Sequence, residues 1–272
     1  MAASPRARRL MRQLGLSPQQ IPGSGPNGRV LEADVRTAAA RPPTSPVAAP
    51  GGASFMRRSI AEKTVLSFST TPHFYLRVEA DVTALMEFKD QIAPAIERAA
   101  GVKLTLTDFL LSAMAQALAK FPPANCIWQN QTLVKLPTVD LGLVVSLPDG
   151  LLIPIVRQAD KLTLSELAKR RAELTAAARA GKLSAAETQG GAMSLSNLGN
   201  SPVDEFAPVI APPQSSMLAC GRAAPRPFVV QNQLAVRTTL RLCLAVDHRV
   251  LDGAPAAEVL GCIVDFLEHP RP

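Results

Sequence analysis

Residues 242–253 read Leu-Cys-Leu-Ala-Val-Asp-His-Arg-Val-Leu-Asp-Gly, an apolar run that ends in a charged segment just before a helical stretch. A short apolar run bounded by polar residues is typical of a buried strand. His248 follows this strand directly, and strand ends are where α/β proteins place reactive side chains. The stretch predicts a buried sheet flanked by helices, and it leaves His248 open between a reactive and a structural histidine.

The sequence on both sides alternates between strand and helix patterns. Strands are predicted at 73–81, within two apolar runs at 141–147 and 151–156, at 192–195 and 216–220, and in a hairpin around 231–233. Helices are predicted at 4–15, 30–40, 82–99, from a cap at Thr107-Asp108 to 120, from a capping box at 163–166 to about 179, and at 255–268. This alternation favours an α/β layered domain.

The composition excludes several classes of protein. Of the 272 residues, 47% are hydrophobic and 19% charged, which is unlike a disordered chain. No apolar run is long enough to span a membrane, and the N-terminus lacks the apolar core of a secretion signal. The cysteines form no CxxC pair, which favours buried thiols in a reducing compartment over disulfides or a metal site: Cys126, Cys220, Cys243 and Cys262.

The first fifth of the chain differs from the rest. Segment 41–54 contains four prolines and two glycines and predicts an extended linker between a small module at 1–40 and a body at 55–272. The net charge of +7 lies entirely within residues 1–58, where nine arginines face two acidic residues. A concentrated positive charge indicates an acidic partner, either nucleic acid or an acidic protein surface.

Two polar motifs have ordinary structural interpretations. Gly23-Ser-Gly-Pro-Asn-Gly28 matches the G-x-G-x-x-G pattern, but a dinucleotide site needs this loop between a strand and a helix. Here a helix precedes it in a module too small for that unit, so we interpret it as a structural loop. Ser194-Leu-Ser-Asn-Leu-Gly199 is a small polar turn, in which serines usually bond to the backbone. Ser196 gains a functional interpretation if it belongs to one constellation with His248.

Such a constellation is present. In the same order along the chain, four segments resemble the catalytic domain of 2-oxo acid dehydrogenase dihydrolipoamide acyltransferases: Gln189-Gly-Gly191, Ser194–Gly199, Ile210-Ala-Pro-Pro-Gln214 and Asp247–Gly253. Supporting matches lie at 72–76, 107–109, 125–128 and 148–151. The small module resembles the peripheral subunit-binding domain of the same family through residues 4–8 and 23–29. The resemblance covers nearly the whole chain.

The resemblance implies a chloramphenicol-acetyltransferase-like α/β fold that forms trimers, which assemble further into a large core. It implies an active site between neighbouring subunits, with coenzyme A and an acyl-dihydrolipoyl arm as substrates and no metal. His248 matches the general base of the family, and Ser196 matches the hydroxyl that stabilises the tetrahedral oxyanion. Asp252 matches the position that supports the histidine region.

The basic module gains a specific interpretation as well. Arg8 and Arg12 are four residues apart and share a helix face. Together with Arg29 they match the positions through which the family binds dihydrolipoamide dehydrogenase or the 2-oxo acid decarboxylase component. Arginine pairs with carboxylates through two parallel hydrogen bonds. An acidic protein partner therefore explains the charge better than nucleic acid does.

The sequence also departs from the family pattern. It contains no lipoyl domain, so the lipoyl group is expected from a separate or missing domain, and residues 200–206 differ from the usual turn containing glycine and phenylalanine. Two alternatives stay open: a non-catalytic core scaffold and a free-standing acetyltransferase of small molecules. The motifs look most like those of pyruvate-complex acetyltransferases, with succinyl and branched-chain groups also open. Composition favours the bacterial cytoplasm over the mitochondrial matrix.

Overall fold

The computed structural model describes residues 3–14, 16, 21–40 and 54–270. It divides into two compact units, Met1–Ala53 and Ser54–Pro272. The predicted linker at 41–54 lies outside the described residues except for Ser54, and so does Gly15, the predicted end of the first helix. Ser54 caps the first helix of the second unit, because its side chain accepts a hydrogen bond from the Arg57 N–H.

The described helices have the following bounds: α1 Pro5–Leu14, α2 Glu32–Ala40, α3 Phe55–Thr70, α4 Thr83–Ala100, α5 Leu106–Lys120, α6 Leu164–Arg179 and α7 Gly253–Glu268. The described strands are β1 His73–Asp81, β2 Cys126–Gln129, β3 Thr132–Lys135, β4 Leu141–Leu143, β5 Val145–Leu147, β6 Gly150–Leu152, β7 Ile155–Val156, β8 Met193–Asn197, β9 Ser216–Cys220, β10 Ala224–Val230 and β11 Gln233–Asp247. The predicted α/β class is confirmed.

The first unit is a pair of helices around a loop. Ser4 caps α1, since its hydroxyl accepts a hydrogen bond from the Ala7 N–H at 3.2 Å. The second helix begins at Glu32 rather than at Val30. Val30 is engaged in a bridge with Ala3 instead, and its carbonyl accepts the Ser4 N–H at 3.0 Å. The core of the unit is small and apolar: Ala3, Ala7, Met11, Ile21, Val30 and Val35.

The second unit is built on a mixed sheet with the order β1-β11-β9-β8-β4-β7, to which β10 adds beside β11. Strand β8 is parallel to β9 and β4, and the other pairs are antiparallel. Side chains alternate between the two faces of a strand. Leu195 on β8 and Leu244 on β11 belong to the core that α5 and α7 share, so Ser196 lies on the opposite face of the sheet.

Three local predictions need correction. The cap of α5 is Thr105 rather than Thr107, because the Thr105 N–H and hydroxyl both donate to the Asp108 carboxylate at 2.8 Å. The two apolar runs at 141–147 and 151–156 each divide into two strands. Their inner halves, β5 and β6, form a separate hairpin around the Pro148-Asp149 turn, and only β4 and β7 join the described main sheet.

The sequence patterns also miss elements that the structure contains. Helix α3 has no continuous apolar face, and Val65, Leu66 and Phe68 are exposed on it. One-sided periodicity therefore gives no signal for it. The hairpin of β2 and β3 was missed as well, although Asn130 and Gln131 adopt the left-handed backbone conformation that a two-residue hairpin turn requires.

Candidate active site

Ser196 is near the end of β8, half-buried on the face of the sheet away from the helices. Asn197, the next residue, fixes the turn that follows. Its side-chain amide donates to the Thr107 hydroxyl at 3.1 Å, and its side-chain oxygen accepts the Gly199 N–H at 2.7 Å. The Ser196 hydroxyl itself has no hydrogen-bond partner among the described residues, in contrast to the Ser194 hydroxyl.

The other serine of the motif has a structural role. The buried Ser194 hydroxyl donates to the Gln214 side chain, whose amide donates to the Gly190 carbonyl at 3.0 Å. Gly142, on the adjacent strand β4, provides the space for this contact, because a Cβ atom there would lie 2.0 Å from the Ser194 oxygen. The bonds join three segments of the resemblance into one support for β8.

An ion pair between the exposed Arg157 and the buried Asp140 fixes the loop before β8. Arg157 binds the Asp140 carboxylate at 2.6 Å and donates to the carbonyls of Ala186 and Gln189. Gly191 has a φ of 75°, a conformation that glycine adopts without strain, and a side chain there would collide with the Asp140 carbonyl. The Gln189-Gly-Gly191 segment is therefore a rigid entry into the strand that carries Ser196.

His248 lies just beyond the end of β11, where its side chain is 52% exposed. Its N–H donates to the Pro72 carbonyl at 3.0 Å, and its ring lies against Phe74 with the centroids 4.5 Å apart. The ring Nδ1 is 3.6 Å from the Asp252 carboxylate, a distance too long for a good hydrogen bond. Asp252 itself is 85% exposed. His248 is thus held by its backbone while its ring nitrogens stay accessible.

The register of the sheet separates Ser196 from His248 within one chain. Ser196 is opposite Ala219, and Ala219 is opposite Cys243. Asp247 is four positions beyond Cys243, which is about 13 Å further along β11. In addition, β9 lies between β11 and the strand of Ser196, β8. The two side chains of one chain therefore cannot contact the same reacting atom.

His73 has a different environment, as a structural histidine would. Its Nδ1 is 2.7 Å from the Thr71 carbonyl, and its Nε2 accepts the Ile210 N–H at 3.1 Å. These partners fix the tautomer with the proton on Nδ1. The third histidine, His269, is exposed beside Asp265 near the end of α7.

The arginines predicted to bind a partner lie on the surface of the first unit. Arg8 and Arg12 are exposed on α1, while the neighbouring Ala7 and Met11 are buried. Together with Pro5, Arg9 and Gln13 they line a shallow depression of about 430 Å³. Arg29 is exposed too, at the end of a short 3-10 turn.

The G-x-G-x-x-G loop uses its N–H groups within the module. Ser24 and Leu31 donate to the Asp34 carboxylate at 2.9 and 2.8 Å, while the Gly25 N–H donates to the Arg29 carbonyl. The bonds from Ser24 and Leu31 hold the pKa of Asp34 below its ordinary value. The donors that would bind a pyrophosphate are thus engaged, which supports the interpretation as a structural loop.

Several residues near His248 lie in segments that carry the resemblance, but the sequence analysis gave them no role. Phe74 contacts the ring, Asp247 and Arg249 form an ion pair, and the Arg249 guanidinium lies 5.7 Å from the centroid of the Trp128 ring. The opposite charges two positions apart around His248 were a signal for the ion pair. The contact between Arg249 and Trp128 joins residues that are 121 positions apart, so no local pattern predicts it.

The described cysteines are free thiols. Cys126, Cys220 and Cys243 are buried as predicted, but Cys262 on α7 is partly exposed. Burial raises the pKa of Cys220 to about 12. In the described part of the chain, no group of three or more His, Cys, Asp or Glu side chains is placed to hold a metal ion. Within the same ranges, none of the helices combines the length and apolar character needed to cross a bilayer.

Comparison with known proteins gives two family matches. Residues 52–272 match the model of the 2-oxoacid dehydrogenases acyltransferase catalytic domain, and residues 1–36 match the e3 binding domain. Among curated relatives, the acetyltransferase component of the pyruvate dehydrogenase complex of Rhizobium meliloti is 36% identical, over 98% of this chain and 67% of its own length. The acetyltransferase component of the acetoin cleaving system of Bacillus subtilis is 35% identical, over 99% of this chain and 70% of its own length.

A similar solved structure supports the same family. The dihydrolipoamide acetyltransferase of Azotobacter vinelandii has a TM-score of 0.76 and 34% identity, covering 79% of this chain and 88% of its own. The chain spans about two thirds of the length of the curated relatives it matches. The chain therefore belongs to the 2-oxo acid dehydrogenase acyltransferase family, with an e3 binding domain preceding its catalytic domain.

Proposed function

We propose that this chain transfers an acetyl group between a dihydrolipoyl thiol and coenzyme A in the core of a 2-oxo acid dehydrogenase complex. The observation that carries the proposal is the state of two side chains. The His248 imidazole and the Ser196 hydroxyl make no hydrogen bond in the described structure, although the polar groups around them are bonded. Unengaged groups of these two types suit proton transfer and oxyanion binding.

The spacing of the site residues supports these roles. In the Azotobacter vinelandii enzyme, the catalytic role of a serine, a histidine and an asparagine was investigated. Ser196, His248 and Asp252 are separated by the same numbers of positions. The third residue is aspartate here, so we assign it the support of the histidine region rather than a step of its own.

His248 would act as the general base. The coenzyme A thiol, with a pKa of about 8.5 for a free thiol, is mostly protonated at neutral pH. A neutral imidazole within ~3 Å accepts that proton as the sulfur attacks the thioester carbonyl carbon. When the tetrahedral intermediate collapses, the carbon–sulfur bond to the dihydrolipoyl group breaks, and the imidazolium returns the proton to the departing sulfur. The cycle leaves the enzyme unchanged.

Ser196 would stabilise the intermediate. The attacked carbonyl oxygen becomes an oxyanion, and a hydroxyl on a rigid strand can donate a hydrogen bond to it. The bonds of Ser194, Gln214 and Asn197 hold β8 in place, so the donor is positioned before the reaction starts. Losing one such donor typically lowers the rate by about 10²–10³-fold.

We infer that each site forms between two copies of the chain, since Ser196 and His248 of one copy are too far apart to share a substrate. Large exposed apolar residues on α3 and on the β10–β11 hairpin support association of copies: Val65, Leu66, Phe68, Val229, Val230, Leu234 and Val236. A solved structure with a TM-score of 0.75 and 33% identity is the cubic core of a pyruvate dehydrogenase multienzyme complex. A trimer that assembles into a larger core fits this likeness.

The acetyl group is supported by the relatives. The Rhizobium meliloti and Bacillus subtilis proteins are both named acetyltransferases, although of two different complexes. The lipoyl group is a substrate here, carried by another domain. We propose domain boundaries at 1–40, 41–54 and 55–272, and that the first domain binds dihydrolipoamide dehydrogenase or the decarboxylase component through Arg8, Arg12 and Arg29.

The decisive experiment measures acetyl-coenzyme A formed from acetyl-dihydrolipoamide and coenzyme A. We expect turnover by the wild-type protein and rates that are lower by about 10²-fold or more for Ser196→Ala and His248→Ala. Co-expression of the two variants tests the site between copies, because about one site in four then holds an intact serine and an intact histidine. Activity recovered in the mixture supports the shared site. Wild-type protein at background rate would instead favour a non-catalytic scaffold.

A further inference from the structure

The two residues that flank His248 are bonded to each other. The Asp247 carboxylate is buried, with its side chain 3% exposed. It accepts hydrogen bonds from Arg249 Nε at 2.9 and 3.2 Å, from Arg249 Nη2 at 2.6 Å and from the Arg249 N–H at 3.0 Å. In the described structure, every donor to this carboxylate belongs to Arg249. The pair thus closes a ring around the backbone of His248.

Arg249 is held on its other side by an aromatic ring. Its guanidinium carbon lies 5.7 Å from the centroid of the Trp128 ring, which is within the range of a cation–π contact. Trp128 is on β2, and β2 is tied to the strand of His248 through Ser215. The Ser215 hydroxyl donates to the Cys126 carbonyl at 2.6 Å, and its own carbonyl accepts the Asp247 N–H at 2.8 Å.

We propose that Asp247, Arg249 and Trp128 form a clamp that positions the His248 imidazole for proton transfer. The inference rests on the proposed function, in which His248 is the base. The three residues are positioning residues, since they act through the backbone of His248. A ring that is itself unbonded needs its backbone fixed from outside, because misplacing a reacting group by 1 Å can cost about 10²-fold in rate.

Arg249→Lys tests the clamp. Lysine keeps the charge but loses the planar fork that binds both carboxylate oxygens. We expect kcat to fall about tenfold or more while the KM for coenzyme A stays within about twofold. Arg237→Lys is the matched control, since Arg237 on β11 binds Asp81 on β1 at 2.6 Å, at the end of the strand pair far from His248. Its kcat should stay within about twofold of the wild type.

A second readout does not depend on activity. Trp128 is the single tryptophan of the chain, so the intrinsic tryptophan fluorescence reports directly on the clamp. The emission spectrum should change in Arg249→Lys and stay unchanged in Arg237→Lys. If the wild-type protein transfers no acetyl group, the proposed function fails. The emission spectrum of Arg249→Lys then still shows whether the contact between Arg249 and Trp128 forms in the wild-type protein.

Three results would overturn the clamp. An Arg249→Lys protein with wild-type kcat and wild-type emission shows that the ion pair does not position the histidine. An increase in the KM for coenzyme A at unchanged kcat shows that Arg249 binds substrate instead. If Arg249→Lys does not assemble, Trp128→Phe carries the test, since a smaller ring weakens the contact without uncovering the buried carboxylate. Its kcat should then fall about threefold at unchanged KM, and wild-type kcat in that variant rejects the clamp.

Discussion

His73 and His248 lie at the same end of the β1–β11 strand pair, with His73 opposite Asp247, yet their rings have contrasting surroundings. Both rings contact aromatic side chains, and both histidines are anchored to β1 or its approach. The His73 nitrogens are both bonded, at 2.7 and 3.1 Å, whereas those of His248 have no partner closer than 3.6 Å in the described structure.

The difference shows what separates a structural histidine from a reactive one. A ring whose two nitrogens are committed to the backbone loses hydrogen bonds when it accepts a proton, because its acceptor nitrogen is already occupied. An unbonded ring accepts a proton without that cost. His73 should therefore contribute to stability and His248 to turnover, and four measurements test this division.

The largest expected effect is on turnover. His248→Ala should lower the acetyl transfer rate by about 10²–10⁴-fold, since general base catalysis is lost. The free energy of unfolding should change by less than about 0.5 kcal/mol, because the side chain is half-exposed and unbonded. Turnover and urea unfolding are measured on the same preparation. A large loss of stability in this variant would break the comparison.

The reverse pattern is expected for His73. His73→Ala leaves the Ile210 N–H and the Thr71 carbonyl without their partner, so the free energy of unfolding should fall by about 1–3 kcal/mol. Turnover per folded molecule should stay within about threefold of the wild type. A rate loss as large as that of His248→Ala would show that the two histidines act together.

Asp81, at the other end of β1, is a carboxylate whose hydrogen bonds should contribute to stability as those of His73 do. Burial raises the pKa of Asp81, but hydrogen bonds from the Thr83 hydroxyl and N–H, together with Arg237, outweigh it and lower the pKa below its ordinary value of 3.8. A lowered folded pKa stabilises the fold above the unfolded pKa, and this contribution is lost as the pH falls through the folded pKa.

Asp81→Asn should therefore lower the free energy of unfolding by about 1 kcal/mol near neutral pH. The difference from the wild type should be constant above about pH 5 and should shrink below about pH 4. Chemical unfolding at several pH values measures it. A difference that grows as the pH falls would contradict the assignment of the bonds to the ionised carboxylate.

The smallest effect is expected at Asp252. Its carboxylate is 3.6 Å from His248 Nδ1, and both side chains are more than half exposed. Exposed pairs of this kind contribute at most about 1 kcal/mol, so Asp252→Asn should change turnover by less than about fivefold. A larger loss would mean that assembly buries the pair, and His248 would then be less free than the comparison assumes.

Much of the fold could be predicted because local sequence patterns, such as strand alternation and helix caps, specify its elements. The strand at 73–81 and the capping box at Thr163 appear at the predicted bounds. Elements without a one-sided apolar pattern escaped, as α3 shows, since its exposed Phe68 and its neighbours are not explained by burial within one chain. The α5 cap was misplaced by two residues, because Thr105 and Thr107 both precede an apolar run and only the bonds to Asp108 decide between them.

The family and the candidate pair Ser196 and His248 could be identified without the structure, because each motif is a short run of residues. Only the folded chain shows which histidine is free, since the Ile210 N–H that donates to His73 comes from 137 positions away. It also shows that Ser196 and His248 lie far apart along the sheet, because strand register is set by pairing between distant segments. The clamp of Trp128 on Arg249 has the same origin.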